Sequence, residues 1–268
     1  MDSGNFWLAF GLTVFAGLST GIGSALAFFT RSTSTRFLSV SLGFSAGVMI
    51  YVSFFEILQK ARLALEPAFG EKLAAWYTVG SFFLGILIIA LIDRLIPSYE
   101  NPHEIRRVED VSRDGNKDPK LVRMGMFTAL AIAIHNFPEG IATFMAGLSD
   151  TSIAIPIAVA IAIHNIPEGI AVSVPISYGT GSKKKGFYLS FLSGLAEPVG
   201  ALMAYFIIMP FLSDTLFGFI FAAVAGIMVF ISIDELLPTA REYGLHHHAV
   251  YGFVAGMAIM AVSLLLFI

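Results

Sequence analysis

The sequence predicts an all-α fold, a polytopic membrane protein of eight transmembrane helices arranged 3+2+3, and three observations carry that reading. The 268-residue chain is 56% hydrophobic, only 13% charged and has a mean hydropathy of +0.80, far from a soluble globular composition. Apolar stretches long enough to cross about 30 Å of hydrocarbon recur at 6–29, 37–58, 73–92, 121–148, 152–177, 187–209, 214–237 and 247–268. Two near-copies of one phrase, AIAIHNFPEGIA at 131–142 and AIAIHNIPEGIA at 160–171, set a histidine, an asparagine and a glutamate inside two of these stretches.

The first stretch has no basic segment ahead of it and no convincing cleavage site, so it reads as a spanning helix rather than a removable signal. The second and third are separated by 59–72, which contains Lys60, Arg62 and Lys72. The third and fourth are separated by the polar segment 93–123, with seven basic and seven acidic residues, which reads as a mobile loop. The run 121–177 is nearly continuous, and its 57 residues are twice what one crossing needs. It therefore divides at Leu148-Ser149-Asp150-Thr151. The three remaining stretches follow with short connections, making one transmembrane domain over 1–268. Twenty-five glycines suit helices packed in lipid, where small residues let backbones approach closely.

Charge asymmetry sets the orientation. The connections 30–36, 93–123, 178–186 and 238–246 hold 13 of the 16 Lys and Arg residues. That side is expected in the cytoplasm and both termini outside, as in a multi-pass protein of a plasma membrane.

A fainter duplication supports the topology. The segment 46–61, AGVMIYVSFFEILQKA, aligns without a gap on 225–240, AGIMVFISIDELLPTA, pairing Glu56 with Glu235. Likewise 16–25, AGLSTGIGSA, resembles 193–202, SGLAEPVGAL. Helices 1–3 and 6–8 therefore read as an inverted repeat with helices 4 and 5 inserted, an arrangement typical of secondary transporters.

Ionisable side chains at hydrocarbon depth face a cavity, a partner or an ion. On a helix His135 and Glu139 share a face, with Asn136 three residues before the glutamate, and His164, Asn165 and Glu168 repeat the pattern. Pro138 and Pro167 are expected to break their helices and free the carbonyls of Ile134 and Ile163. Gly140 and Gly169 allow close approach just beyond. Facing each other, the two segments offer two imidazoles and two carboxylates, a set that suits zinc and also Fe²⁺ or Co²⁺. With no cysteine in the chain, any metal must be held by nitrogen and oxygen. A third carboxylate, Glu197, precedes Pro198 in the sixth stretch, at another expected break. Asn136 and Asn165 would offer carbonyl oxygens to a neighbouring position while the glutamates bridge both, and an oxygen-rich position of this kind accepts Mn²⁺ or Fe²⁺ more readily than the first. Glu56, Glu235, Asp93 and Asp234 lie near helix ends, where a place at the interface and a role in the site are equally open. The run His246-His247-His248 reads as a solvated loop, with metal hand-over as the alternative.

These phrases and their spacing resemble the ZIP (ZRT/IRT-like) family of divalent-metal transporters, above all its bacterial branch, over essentially all eight spans. The resemblance implies that helices 4 and 5 carry the transport site. His135, Glu139, His164 and Glu168 would then form the primary position, and Asn136, Asn165 and Glu197, with the shared glutamates, the adjacent one. It also implies uptake of zinc, with iron, manganese, cobalt or cadmium as further cargo, assembly as a homodimer in the lipid bilayer, and one helix bundle sliding against another. The chain departs from many relatives in having only His103 in 93–123.

No nucleotide-binding loop occurs, so ATP is not expected as a partner; nucleic acid and a catalytic cofactor are not expected either. The rival reading is an intramembrane metal-dependent hydrolase, which needs an open metal position and a separate acid or base. Near-symmetric duplicated ligands argue against it, and the chain is expected not to be an enzyme.

Overall fold

A computed structural model describes residues 3–29, 35–95, 119–149, 151–208, 211, 213–243 and 246–265. The described residues are helical almost throughout: α1 (Ser3–Phe29), α2 (Thr35–Val52), α3 (Leu58–Leu95), α4 (Pro119–Ser149), α5 (Thr151–Thr180), α6 (Lys183–Gly194), α7 (Ala196–Met203), α8 (Asp214–Ile231), α9 (Leu237–Tyr243) and α10 (His246–Leu265). Single π segments at Ser53–Ile57, Ala204–Ile208 and Ser232–Leu236 continue α2, α7 and α8.

Six described segments are long and apolar enough to cross a bilayer: Phe6–Leu26, Ser39–Arg94, Ile157–Val174, Lys183–Ile207, Asp214–Leu236 and His247–Leu265. Ser39–Arg94 is 56 residues long and bends at Gly70 (φ 72°, ψ 162°), a conformation open to glycine, so it holds two arms. Phe54 meets Phe82 and Phe69 meets Tyr77, so the arms run antiparallel.

The sequence boundaries need three corrections. The expected connection 59–72 is helical up to Gly70, because Ala61 and Leu65 turn inward against Gly218 of α8 while Arg62 pairs with Glu66 and Glu71 outside. That amphipathic turn carries the helix beyond its apolar stretch. Secondly, α4 and α5 pass Pro138 and Pro167 without interruption. Proline removes one hydrogen bond, and tight packing on neighbouring helices holds the remaining turns. The break before Glu197 does occur: Leu195 leaves the regular ladder between α6 and α7, with its N–H shared between the carbonyls of Phe191 and Leu192. Thirdly, the seventh stretch runs on past 237 through α9. Most of the expected loop 93–123, from 96 to 118, lies outside the described residues, as does Asp150.

The helices sort into two groups. In one, α1, α4, α5 and α6–α7 pack together; in the other, α2, α3, α8–α9 and α10 do, and the groups meet mainly along α2–α5 and α4–α8. Glycines set many of the crossings. Gly43 and Gly47 of α2 lie on the backbone of Ala249 and Phe253, and Gly252 and Gly256 of α10 lie on that of Val40 and Phe44. The rising numbers show α2 and α10 parallel. Gly85 and Gly226 join α3 to α8 in the same way, with Tyr77 against Phe219.

Two of the π segments fall at equivalent places when 46–61 is laid on 225–240. Ser53 Oγ donates to the Met49 carbonyl at 2.7 Å and Ser232 Oγ to the Met228 carbonyl at 2.7 Å. The second arm of α3 is parallel to α8 and antiparallel to the first, so these matched segments run in opposite directions. Glu235 is buried and Glu56 half-buried, so the first does not sit at an open interface.

Polarity is distributed inside out. Trp76, Phe83, Leu87 and Leu91 of α3, with Tyr251, Val254 and Val262 of α10, are exposed. Asn136, Glu139, His164, Asn165, Glu168 and Glu197 are all buried. Lipid around the helices favours that arrangement, since it solvates apolar side chains and no charges.

Candidate metal site

α4 and α5 form an antiparallel hairpin, with Gly125 against Ile176 near one end and Gly147 near Ala154 at the other. Midway, Glu139 Oε2 and His164 Nε2 lie 3.2 Å apart, both side chains 1% exposed. Helical spacing alone pairs each histidine with the glutamate four residues on; the structure adds this bond between the helices.

One residue on, Asn165 Nδ2 donates to the Ala16 carbonyl of α1 at 3.0 Å and to Glu197 Oε1 of α7. Glu168 follows Asn165 by three residues on α5, so Glu139, Glu168 and Glu197 all belong to this buried cluster. Three acids from three helices thus share one interior, and no lysine or arginine is buried among the described residues. Several polar atoms there have no hydrogen-bond partner among the described residues: the oxygens Glu139 Oε1, Asn165 Oδ1 and Glu197 Oε2, and both the oxygen and the nitrogen of the Asn136 amide. A buried acceptor without a donor costs about 1–3 kcal/mol, more if charged, so this concentration is not a feature of packing alone.

Of the seven candidates, Glu139 and His164 are in contact, Asn165 and Glu197 are in contact, and Asn136 and Glu168 are buried beside them in sequence. The side chain of His135 lies outside the described residues. Among the described residues, no three His, Asp or Glu side chains close to metal-binding distance of one point.

Glycines hold this geometry. A Cβ on Gly140 would run into the Glu197 backbone, and one on Gly169 into the Thr20 carbonyl. Gly200 lies in turn on the Phe137 carbonyl and Gly23 on that of Ile166. The close approach expected at Gly140 and Gly169 is therefore present.

The family model described as ZIP zinc transporter matches residues 94–264. The zinc transporter ZupT of Streptococcus mutans is 64% identical over 266 residues, covering 99% of this chain and all of that protein. The zinc transporter ZupT of Lysinibacillus sphaericus is 61% identical, covering 99% of both chains, and that of Corynebacterium aurimucosum 56%, covering the whole of both. The chain belongs to the ZIP family. Its likeness to ZupT proteins runs from end to end.

In this ZIP chain, sequence reasoning missed two contributors to the interior. The Ala16 carbonyl is a backbone group and leaves no residue signature. Thr143, one turn beyond Glu139, has a buried hydroxyl with no partner among the described residues, and a lone threonine in an apolar helix draws no notice.

Proposed function

We propose that the protein carries divalent transition-metal ions, zinc foremost, from outside into the cytoplasm through the interior of the α1–α4–α5–α6–α7 group. The observation that carries this reading is the meeting of Glu139 with His164, beside Asn165 with Glu197, at a depth where no lysine or arginine is buried among the described residues. His135, Glu139, His164 and Glu168 supply the nitrogen and oxygen ligands of a primary position; Asn136, Asn165 and Glu197 supply those of an adjacent, oxygen-rich one. This reading takes the chain as one domain of eight spans in a 3+2+3 arrangement, with the inverted repeat of helices 1–3 and 6–8 and both termini outside. The charge bias and the oppositely directed π segments support it. Zinc leads because each named relative is a zinc transporter; iron, manganese, cobalt and cadmium fit the same ligand types.

The chemistry follows from the donors. An arriving M²⁺ exchanges its water shell for carboxylates and imidazole, and its charge makes three buried acids tolerable. A membrane potential negative inside favours entry by about 4.6 kcal/mol for a double charge at 100 mV. The glycine-joined group holding the ligands moves as a unit against the α2–α3–α8–α10 group, exposing the ion to each side in turn. Nothing favours the hydrolase alternative in a chain of a transporter family.

The test is uptake of radioactive zinc into liposomes containing the purified protein. A saturable, potential-dependent signal that collapses in Glu139→Ala and Glu168→Ala supports the reading. Uptake at wild-type affinity in both variants defeats it.

A further inference from the structure

The α1–α4–α5–α6–α7 group has a pseudo-twofold arrangement that the two motif phrases and the 16–25 and 193–202 segments share. Gly17 and Gly194, equivalent in that alignment, lie on each other's carbonyls. Gly140 of the first motif lies on Glu197, and Gly169 of the second on Thr20, again equivalent residues. Gly200 lies on Phe137 and Gly23 on Ile166, completing the correspondence. Thr20 therefore holds, in one half, the place that Glu197 holds in the other.

The Thr20 side chain lies against Gly194, and two further observations show that its hydroxyl is not spent on a hydrogen bond there. Its Oγ1 is fully buried and has no hydrogen-bond partner among the described residues. Two of the other three buried threonines return this bond to the carbonyl four residues back, Thr13 to Ala9 and Thr78 to Ala74, and Thr143 does not. For Thr20 that carbonyl is Ala16, and it already accepts the Asn165 amide and the Ser19 hydroxyl. Inside α1 it also faces the Thr20 N–H, so a carbonyl oxygen with two lone pairs has no place left for the Thr20 hydroxyl.

We propose that Thr20 is a specificity-determining residue of the ion path, its hydroxyl facing the oxygen-rich position from the side opposite Glu197, where it binds a hard divalent cation directly or through a water. This rests on the transport reading above. With Asn136, Glu139, Asn165, Glu168 and Glu197, it brings the oxygen donors to six, the number an octahedral ion such as Mn²⁺ takes, whereas Zn²⁺ is content with four. The correspondence is broken at one point: Asn136 makes no bond like that of Asn165 to its neighbours among the described residues, leaving its amide oxygen available.

The experiment compares radioactive manganese and zinc uptake by the purified full chain in liposomes for wild type, Thr20→Val and Thr20→Ser. Valine has the shape of threonine without its hydroxyl. Thr20→Val is expected to lower manganese uptake at least tenfold relative to zinc, and Thr20→Ser to keep the wild-type ratio within twofold. An unchanged ratio in Thr20→Val, or equal loss of both metals, overturns the proposal while zinc uptake by wild type leaves the transport reading standing. A second variant works independently of the metal ratio: Thr20→Glu with Glu197→Thr exchanges the two donors across the pseudo-twofold. It is expected to recover at least tenfold of the uptake that Glu197→Thr alone loses; recovery of none overturns the proposal.

Discussion

Glu139 of α4 and His164 of α5 are 25 residues apart in sequence and 3.2 Å apart in space, and each is 1% exposed. That contact links the two motif helices and makes the first prediction direct. Replacing either side chain by alanine leaves its partner buried without its counterpart. Half-saturation for zinc is expected to rise about 10- to 100-fold in Glu139→Ala and His164→Ala, measured as uptake into liposomes. The double variant is expected to be no worse than the worse single one, since the two act together.

The two asparagines are expected to separate by their effect on stability. Asn165 ties α5 to both α1 and α7, whereas Asn136 makes no bond among the described residues. Asn165→Ala should cost about 1–3 kcal/mol, read as a lower unfolding temperature in detergent. Asn136→Ala should leave that temperature close to wild type while still reducing transport.

Glycine substitutions should divide in the same assay. A Cβ at Gly140 or Gly169 meets backbone that cannot yield, so each alanine variant is expected to lose about 1–3 kcal/mol or more. Gly80 has open space around it. Gly80→Ala should be neutral or stabilising by up to about 1 kcal/mol through helix propensity.

Orientation can be read chemically, because the chain has no cysteine. Lys72→Cys and Lys184→Cys each create a single thiol at an exposed position. An impermeant maleimide applied to whole cells should label the first and reach the second only after permeabilisation. The reverse pattern would invert the topology drawn from the lysines and arginines.

The two motif helices were legible because a charge in an apolar run has so few physical excuses: His164, Glu139 and Glu168 announce an interior before any fold is known. The break at Leu195 was legible from Pro198 for the same kind of reason. By contrast, Lys60 and Arg62 suggested a loop, although Ala61 and Leu65 between them carry a buried stripe that only the position of Gly218 makes meaningful. Pro138 and Pro167 suggested broken helices, because a sequence shows the missing amide and not the neighbours that support the turn. Thr20 was invisible by itself; its meaning comes from standing where Glu197 stands once the two halves are superimposed.

The reciprocal seating of Gly17 and Gly194 has a consequence for how such a protein can diverge. Where main chain rests on main chain, spacing between the rods is already at its minimum, and no choice of residue can widen it without splitting the joint. Adaptation to a different cargo must therefore proceed by exchanging the groups that line the passage, within a frame whose calibre is fixed.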